Sequence, residues 1–176
     1  MSNTEKYSFK PSQENYHILF LREKQKLQKI LGEIGKRVVI EHIGSTAVPG
    51  LGGKGIIDIM VLMPKARIER GKELLWENLF GSCLNDSPDR LFFYKDYAQK
   101  GKGKGKTRRV HVHLTSNKKN LEDCAAFKDY LIRNPLAVKK YAEIKKEAAK
   151  LCKGEGSLYR DCKKRFIDKI TNLASK

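Results

Sequence analysis

The chain has 176 residues, 40% of them hydrophobic and 9% aromatic, enough for one domain with a real core and too few apolar runs for a bilayer-spanning segment. Its formal net charge of +17 raises the local concentration of anions near its surface without identifying the anion, and its four cysteines, without a Cys-x-x-Cys pair, match neither a zinc ribbon nor a small disulfide framework. The polar start, Met1-Ser2-Asn3-Thr4-Glu5-Lys6, lacks the charged-then-apolar order of a signal peptide, so a reduced, cytoplasmic protein is expected.

In chain order, the first pattern is helical. From Ser12 to about Ile34, Tyr16, Leu19, Phe20, Leu27, Ile30, Leu31 and Ile34 recur at three- and four-residue steps, and Ser12 is placed to cap the first turn. Residues 38–43 and 56–63 are short β-branched runs bounded by Gly and Pro, which read as buried strands paired near the sheet centre. Ile68, Leu74, Leu75 and Leu79 give a second helix, ending at Gly81 as a left-handed cap.

Asn85-Asp86-Ser87-Pro88 reads as a loop, followed by strands at 91–97 and 109–115. Between them, Gly101-Lys102-Gly103-Lys104-Gly105-Lys106 is too flexible and too like-charged to fold alone, and it reads as the mobile basic tip of a hairpin. It lacks the Gly-x-x-x-x-Gly-Lys-Ser/Thr order of a phosphate-binding Walker loop. Asn120 opens a helix through Phe127, Tyr130 and Leu131, and Asn134-Pro135 interrupts it. A further helix runs to Leu151, and Ser157 is placed to cap the last, which carries Leu158, Cys162, Phe166, Ile170 and Leu173 in one stripe. This order predicts a single domain over 1–176, a mixed α/β (α+β) sheet flanked by helices with three more at the C-terminus. The cysteines Cys124 and Cys152 fall on apolar helical faces and read as core packing.

The chemistry concentrates after the first strand. Gly44 permits a sharp turn, and Ser45 adds a hydroxyl beside exposed N–H groups, the parts of a phosphate seat or of an ordinary corner. Asp58 interrupts the apolar strand Ile56-Ile57-Asp58-Ile59-Met60-Val61, where an unpaired charge costs several kcal/mol or forces protonation, so a compensating group is expected: a metal, Lys54 or a histidine, in a functional site or in a purely structural ion pair. His111 and His113 stand two apart on one strand and project from the same face, able to ligate a transition metal or to bond to backbone. Of Glu41 and His42, at most one can share the sheet face of Asp58. Lys54 can meet a phosphate as a point charge, or remain solvated.

The run Glu41-His42-Ile43-Gly44-Ser45-Thr46-Ala47-Val48-Pro49-Gly50-Leu51, with Lys54, Ile56-Ile57-Asp58-Ile59, His111-Val112-His113, Phe127-Lys128-Asp129-Tyr130-Leu131, Asn134-Pro135 and Tyr141, resembles the GrpB family, and Tyr159 and Lys163 of the last helix extend the match. The resemblance implies a nucleotidyltransferase-like fold in which Gly44-Ser45 binds phosphate and Asp58 holds metal. Met60 stands where that superfamily places a second metal-binding carboxylate, and a thioether is a poor ligand for magnesium. The implied divalent metal is manganese, zinc or magnesium, and imidazoles from His111 and His113 favour the first two or no metal.

The leading expectation is a metal-dependent nucleotidyl or phosphoryl transferase: Asp58, His111 and His113 as catalytic and metal-ligating residues, Gly44, Ser45, Lys54 and Arg109 as substrate-binding residues, and Glu41, His42, Tyr159 and Lys163 as further candidates. The partner would be a phosphate-bearing small molecule such as a nucleotide, with no membrane. A catalytically degenerate module for a nucleotide or coenzyme A precursor is the alternative, and a basic nucleic-acid-binding protein is the third.

Overall fold

A computed structural model describes residues 9–35, 37–82, 89–98 and 107–174. The expected loop at 85–88, the basic hairpin tip at 101–106 and Cys83 lie outside the described residues. The elements in chain order are α1 (Tyr16–Ile30), β1 (Val39–Ile43), β2 (Ile57–Leu62), α2 (Ile68–Glu77), β3 (Gly81–Ser82), β4 (Arg90–Ala98), β5 (Thr107–Thr115), α3 (Lys118–Arg133), α4 (Pro135–Leu151) and α5 (Gly156–Ala174). Single turns of 3₁₀ helix lie at Gly32–Ile34, Ser45–Ala47 and Lys65–Arg67.

The strands form one sheet in the order β1-β2-β5-β4-β3, mixed because β2 and β5 run parallel while the other neighbours are antiparallel. This is the expected mixed α/β architecture. Its edges differ from the sequence reading: β1 lies at the margin rather than near the centre, because the other side of β2 is taken by β5. A two-residue strand, β3, adds to the far margin, too short for any periodicity to announce it.

Strand alternation divides the sheet into two unlike faces. On one, Ile40, Ile57, Ile59, Val61, Phe93, Val110, Val112 and Leu114 pack against Tyr16, Phe20, Leu27 and Leu31 and against Leu74 and Leu75 of α2, forming the main core. A second core joins the 48–51 segment to the C-terminal helices through Val48, Leu51, Leu131 and Tyr141. No helix among the described residues is long and apolar enough to cross a membrane.

Several of the expected helix boundaries are corrected, among them Asn120, which lies inside α3, where the Asn117 side chain caps the first turn by accepting from Lys119 N–H. Asn15, not Ser12, precedes α1, and its side chain makes no capping bond. Helix α2 stops at Glu77, where Leu79 takes the left-handed conformation at φ 62°, and Gly81 enters β3 instead. The bonds Leu79 N–H to Trp76 O and Phe80 N–H to Leu75 O close the last turn two residues early. Ser157 lies inside α5, which begins at Gly156. The interruption at Asn134-Pro135 is as expected, with Pro135 opening α4, where a missing N–H costs nothing.

Candidate functional site

β1 ends at Ile43, and the chain turns through Gly44 at φ 72° into the 3₁₀ turn Ser45–Ala47. Two things require glycine at 44: that backbone conformation, and the approach of Asp58, whose Oδ2 would lie 2.6 Å from any Cβ added there. The turn is pinned from behind. The Thr46 hydroxyl donates to the Ile56 carbonyl at 3.0 Å and accepts from His42 Nε2 at 3.0 Å, and His42 stacks on Phe20 with ring centroids 4.5 Å apart. Burial pushes the His42 pKa down to about 4, so the imidazole is neutral and fit for that bond.

Register then assembles the opposite face. Directly paired residues share a face, and the pairs Ile43 with Asp58, Glu41 with Met60, Asp58 with His111 and Met60 with His113 place all six side chains together. His111 Nδ1 donates to Asp58 Oδ1 at 2.9 Å. Burial works to raise the Asp58 pKa, but that bond and the positive fields of His111, His113 and Lys54 hold it below its ordinary value. One ligand atom each from Asp58, His111 and His113 lie within 4.8 Å of one another. The Phe92 ring borders both imidazoles, its centroid 4.8 Å from that of His111 and 5.2 Å from that of His113.

Cations gather beside this corner. Lys54 Nζ sits 5.4 Å from the centroid of the buried Tyr159 ring, and Lys163 Nζ sits 4.1 Å from the same centroid. Lys145, only 3% exposed, donates to the Gly52 carbonyl at 2.5 Å. A Cβ on Gly53 would meet Lys145 Nζ at 2.5 Å and Ser45 Oγ at 2.6 Å, so ammonium and hydroxyl lie side by side over that glycine. Burial, with the neighbouring ammonium groups, pushes the pKa of Lys145 down to about 7 and that of Lys163 to about 8.

A family model described as GrpB protein matches residues 7–173. The chain belongs to the GrpB family. Among its relatives, the glutamate-rich protein GrpB of Alkalihalophilus pseudofirmus is 33% identical over 167 residues, covering 90% of both chains. A UPF0157 protein of Halalkalibacterium halodurans is 27% identical over 157 residues, covering 89% of this chain and 76% of that one. The crystal structure of the conserved protein GrpB from Enterococcus faecalis superposes with a TM-score of 0.76 at 29% identity, over 95% of this chain and 96% of that one. A looser likeness, with a TM-score of 0.47 at 15% identity, relates 80% of this chain to 44% of Cid1 in complex with its short product ApU. The mixed sheet with its C-terminal helices is therefore a GrpB fold.

Within this GrpB fold, Asp58, His111, His113, Gly44, Ser45, Lys54, Tyr159 and Lys163 gather around one corner. Glu41 shares the face of Asp58 but lies one pleat further along β1, where Lys128 of α3 approaches to 3.9 Å. His42 is corrected from site residue to support, since its ring is on the opposite face. Arg109 lies on the site face but is held by a bidentate pair with Asp96, at 2.7 and 2.5 Å, and covers the Tyr94 ring. The sequence reading missed Lys145 and Thr46. Lys145 could have been found, because it falls in the stripe of Tyr141, Ala148 and Cys152, where a lysine has no reason to be unless its charge is used. Of the cysteines on the helical faces, Cys152 is buried core, and burial, with the field of Asp58 adding to it, raises the Cys124 thiol pKa.

Proposed function

We propose that this GrpB-family chain is a metal-dependent nucleotidyl or phosphoryl transferase acting on a phosphate-bearing small molecule such as a nucleotide. The observation that carries the reading is the convergence of Asp58, His111 and His113 within 4.8 Å beside the Gly44-Ser45 turn. Two nitrogen donors and one oxygen donor fit manganese or zinc, whereas magnesium prefers oxygen throughout. Asp58, His111 and His113 would hold such an ion after small side-chain rotations. When bound, it would polarise a phosphoryl oxygen and offset charge developing in transfer.

The remaining steps belong to the chain itself. Ser45 and the N–H groups of its turn hold a phosphate, and Lys54 offsets its charge. The neutral His42, acting through Thr46, keeps that turn fixed, so the phosphate seat is set before the ligand arrives. Asp58 orients His111 through the bond they share.

A second reading, a binding module without turnover, is favoured by Met60. Its side chain is fully buried on the site face, so β2 supplies no second carboxylate, and the cross-strand Glu41 beside it is drawn to Lys128.

Thermal-shift titration with manganese, zinc and magnesium, each with and without nucleoside triphosphates, tests the proposal. Occupancy at about 100 times the dissociation constant adds about 2.7 kcal/mol. Manganese or zinc is expected to raise the melting temperature of the native chain and not of His111→Ala or His113→Ala, and turnover is expected to vanish in Asp58→Ala. Equal metal shifts in all variants would overturn the metal assignment, and ligand binding without turnover under every metal would leave the module reading.

A further inference from the structure

We infer that Phe92 and Tyr94 of β4, with Arg109 of β5, form a shelf on which a nucleobase stacks, holding the nucleoside that accepts the transferred group. The inference deepens the proposed function and rests on that reading for the acceptor's role, while the stacking itself stands on side chains that need neither metal nor phosphate. One row of paired residues crosses the whole sheet on the site face: Ile43, Asp58, His111, Tyr94 and Gly81. The Gly44-Ser45 turn begins at one end of that row, the cluster of Asp58, His111 and His113 sits at its middle, and the aromatic rings lie beyond. Neighbouring strands are about 4.8 Å apart, so Tyr94 stands roughly 10 Å from Asp58, on the side away from the phosphate turn. In-line transfer needs donor and acceptor on opposite sides of the moving group, and this row supplies both sides.

The shelf is unlike a solvated sheet face. Helix α3 packs over β1 and β2, so the C-terminal helices roof the half of the sheet that carries the turn. On β4 the same face carries Phe92 and Tyr94, both half-buried, whereas Phe93 between them is 1% exposed in the core. The Phe92 ring borders His111 and His113. Tyr94 leans across β3, where a Cβ on Gly81 would meet its Cζ at 2.7 Å, so glycine lets the ring lie along the sheet. Arg109 is clamped by Asp96 through Nε and Nη2, with its Cζ 5.1 Å from the Tyr94 centroid. Asp96 answers that charge, and the bond holds its carboxyl below the ordinary pKa, so the pair offers a flat, neutral surface rather than a phosphate contact. Two aromatic rings and a guanidinium plane select a flat, uncharged heterocycle. A nucleoside joins such a ring to hydroxyl groups that reach back toward His111 and Asp58.

A free nucleoside and the end of a single-stranded nucleic acid both present that ring. Heteronuclear NMR titration of the full chain in EDTA with adenosine, ribose, indole and an adenosine trinucleotide distinguishes them. Adenosine is expected to shift the amide signals of Phe92, Tyr94 and Arg109, and ribose to shift none of them. Tyr94→Ala is expected to weaken adenosine binding about tenfold, the size of one stacking contact, and Tyr94→Phe to retain it. Arg109→Lys, which keeps the charge and loses the plane, and Gly81→Ala, which displaces the Tyr94 ring, are each expected to weaken it at least threefold, so one misfolded variant leaves the test intact. Trinucleotide binding that is tighter than adenosine and equally sensitive to Tyr94→Ala supports a strand end, and equal binding supports the free nucleoside. Indole binding as tightly as adenosine, unchanged adenosine binding in Tyr94→Ala, or shifts confined to other elements would overturn the inference. No metal enters these titrations, so failure of the transferase reading would appear separately, as absence of manganese or zinc binding.

Discussion

The two faces of β2 and β5 are built from the same twelve or so residues and have opposite characters. On one, Ile57, Ile59, Val61, Val110, Val112 and Leu114 are all 0% exposed and packed under α1 and α2. One residue out of step, Asp58, Met60, His111 and His113 face the C-terminal helices, with the Asp58 side chain 24% exposed and that of His111 16%. The apolar face immobilises each strand, and the alternation of the pleat transfers that rigidity to the polar side chains between. Site and scaffold are therefore not separate regions of this sheet but alternate residues of it.

Substitutions one position apart should break this comparison most sharply. Ile59→Asp places a carboxylate in the closed core and is expected to cost more than about 4 kcal/mol, abolishing the cooperative melting transition. Its neighbour Asp58→Asn keeps an acceptor for His111 and is expected to fold within about 1 kcal/mol of the native chain, while manganese or zinc affinity in calorimetry falls at least tenfold. Two folded proteins with similar melting temperatures would refute the division of the faces. Next in size is Glu23→Ala, which strands Arg108 on the scaffold side and is expected to lose about 3 kcal/mol in urea denaturation with no change in triphosphate binding.

The lysines give a smaller effect with a definite sign. Lys145 titrates near 7 when folded and near 10.5 when unfolded, so between those values the unfolded chain holds the extra proton. Stability contributed by this group should therefore rise with pH across that window, and Lys145→Met should show a flatter stability profile than the native chain from pH 7 to 10 in ligand-free buffer. A steeper profile in the variant would contradict the burial of a cation there. Smallest is Leu79→Gly at the end of α2. Leu79 is 81% exposed and holds φ 62°, so glycine should relieve the left-handed strain and raise stability by about 0.5–1 kcal/mol, read as a higher denaturation midpoint.

Much of this was legible in the sequence, and the physical reason is periodicity. The alternation in 56–61 and 109–114 announces strands with one odd face, and Asp58, His111 and His113 stand out because each breaks an apolar run. What periodicity does not carry is which strands become neighbours. The placement of β1 at the margin depends on the parallel insertion of β5, a long-range event with no local signature. Gly81 attracted the helix end because glycine is the usual left-handed residue, yet the bonds to Leu75 and Trp76 closed the turn at Leu79. Lys145 and Glu23 escaped notice for a common reason: charged residues on amphipathic helices are read as solvated, although both fall within stripes of buried neighbours.

The parallel pairing of β2 with β5 also dates the site in the life of the molecule. Asp58 and His111 lie 53 residues apart in the chain, and β5 joins them only by entering between β2 and β4. Closing so long a loop carries an entropic cost that nearby contacts must offset first, which makes such pairings slow. During synthesis Asp58 leaves the ribosome well before either histidine, and a nascent chain that stops short of Thr107 holds the aspartate without the imidazoles. Bringing Asp58 beside His111 and His113 is thus a late event, beyond the reach of a chain that ends before β5.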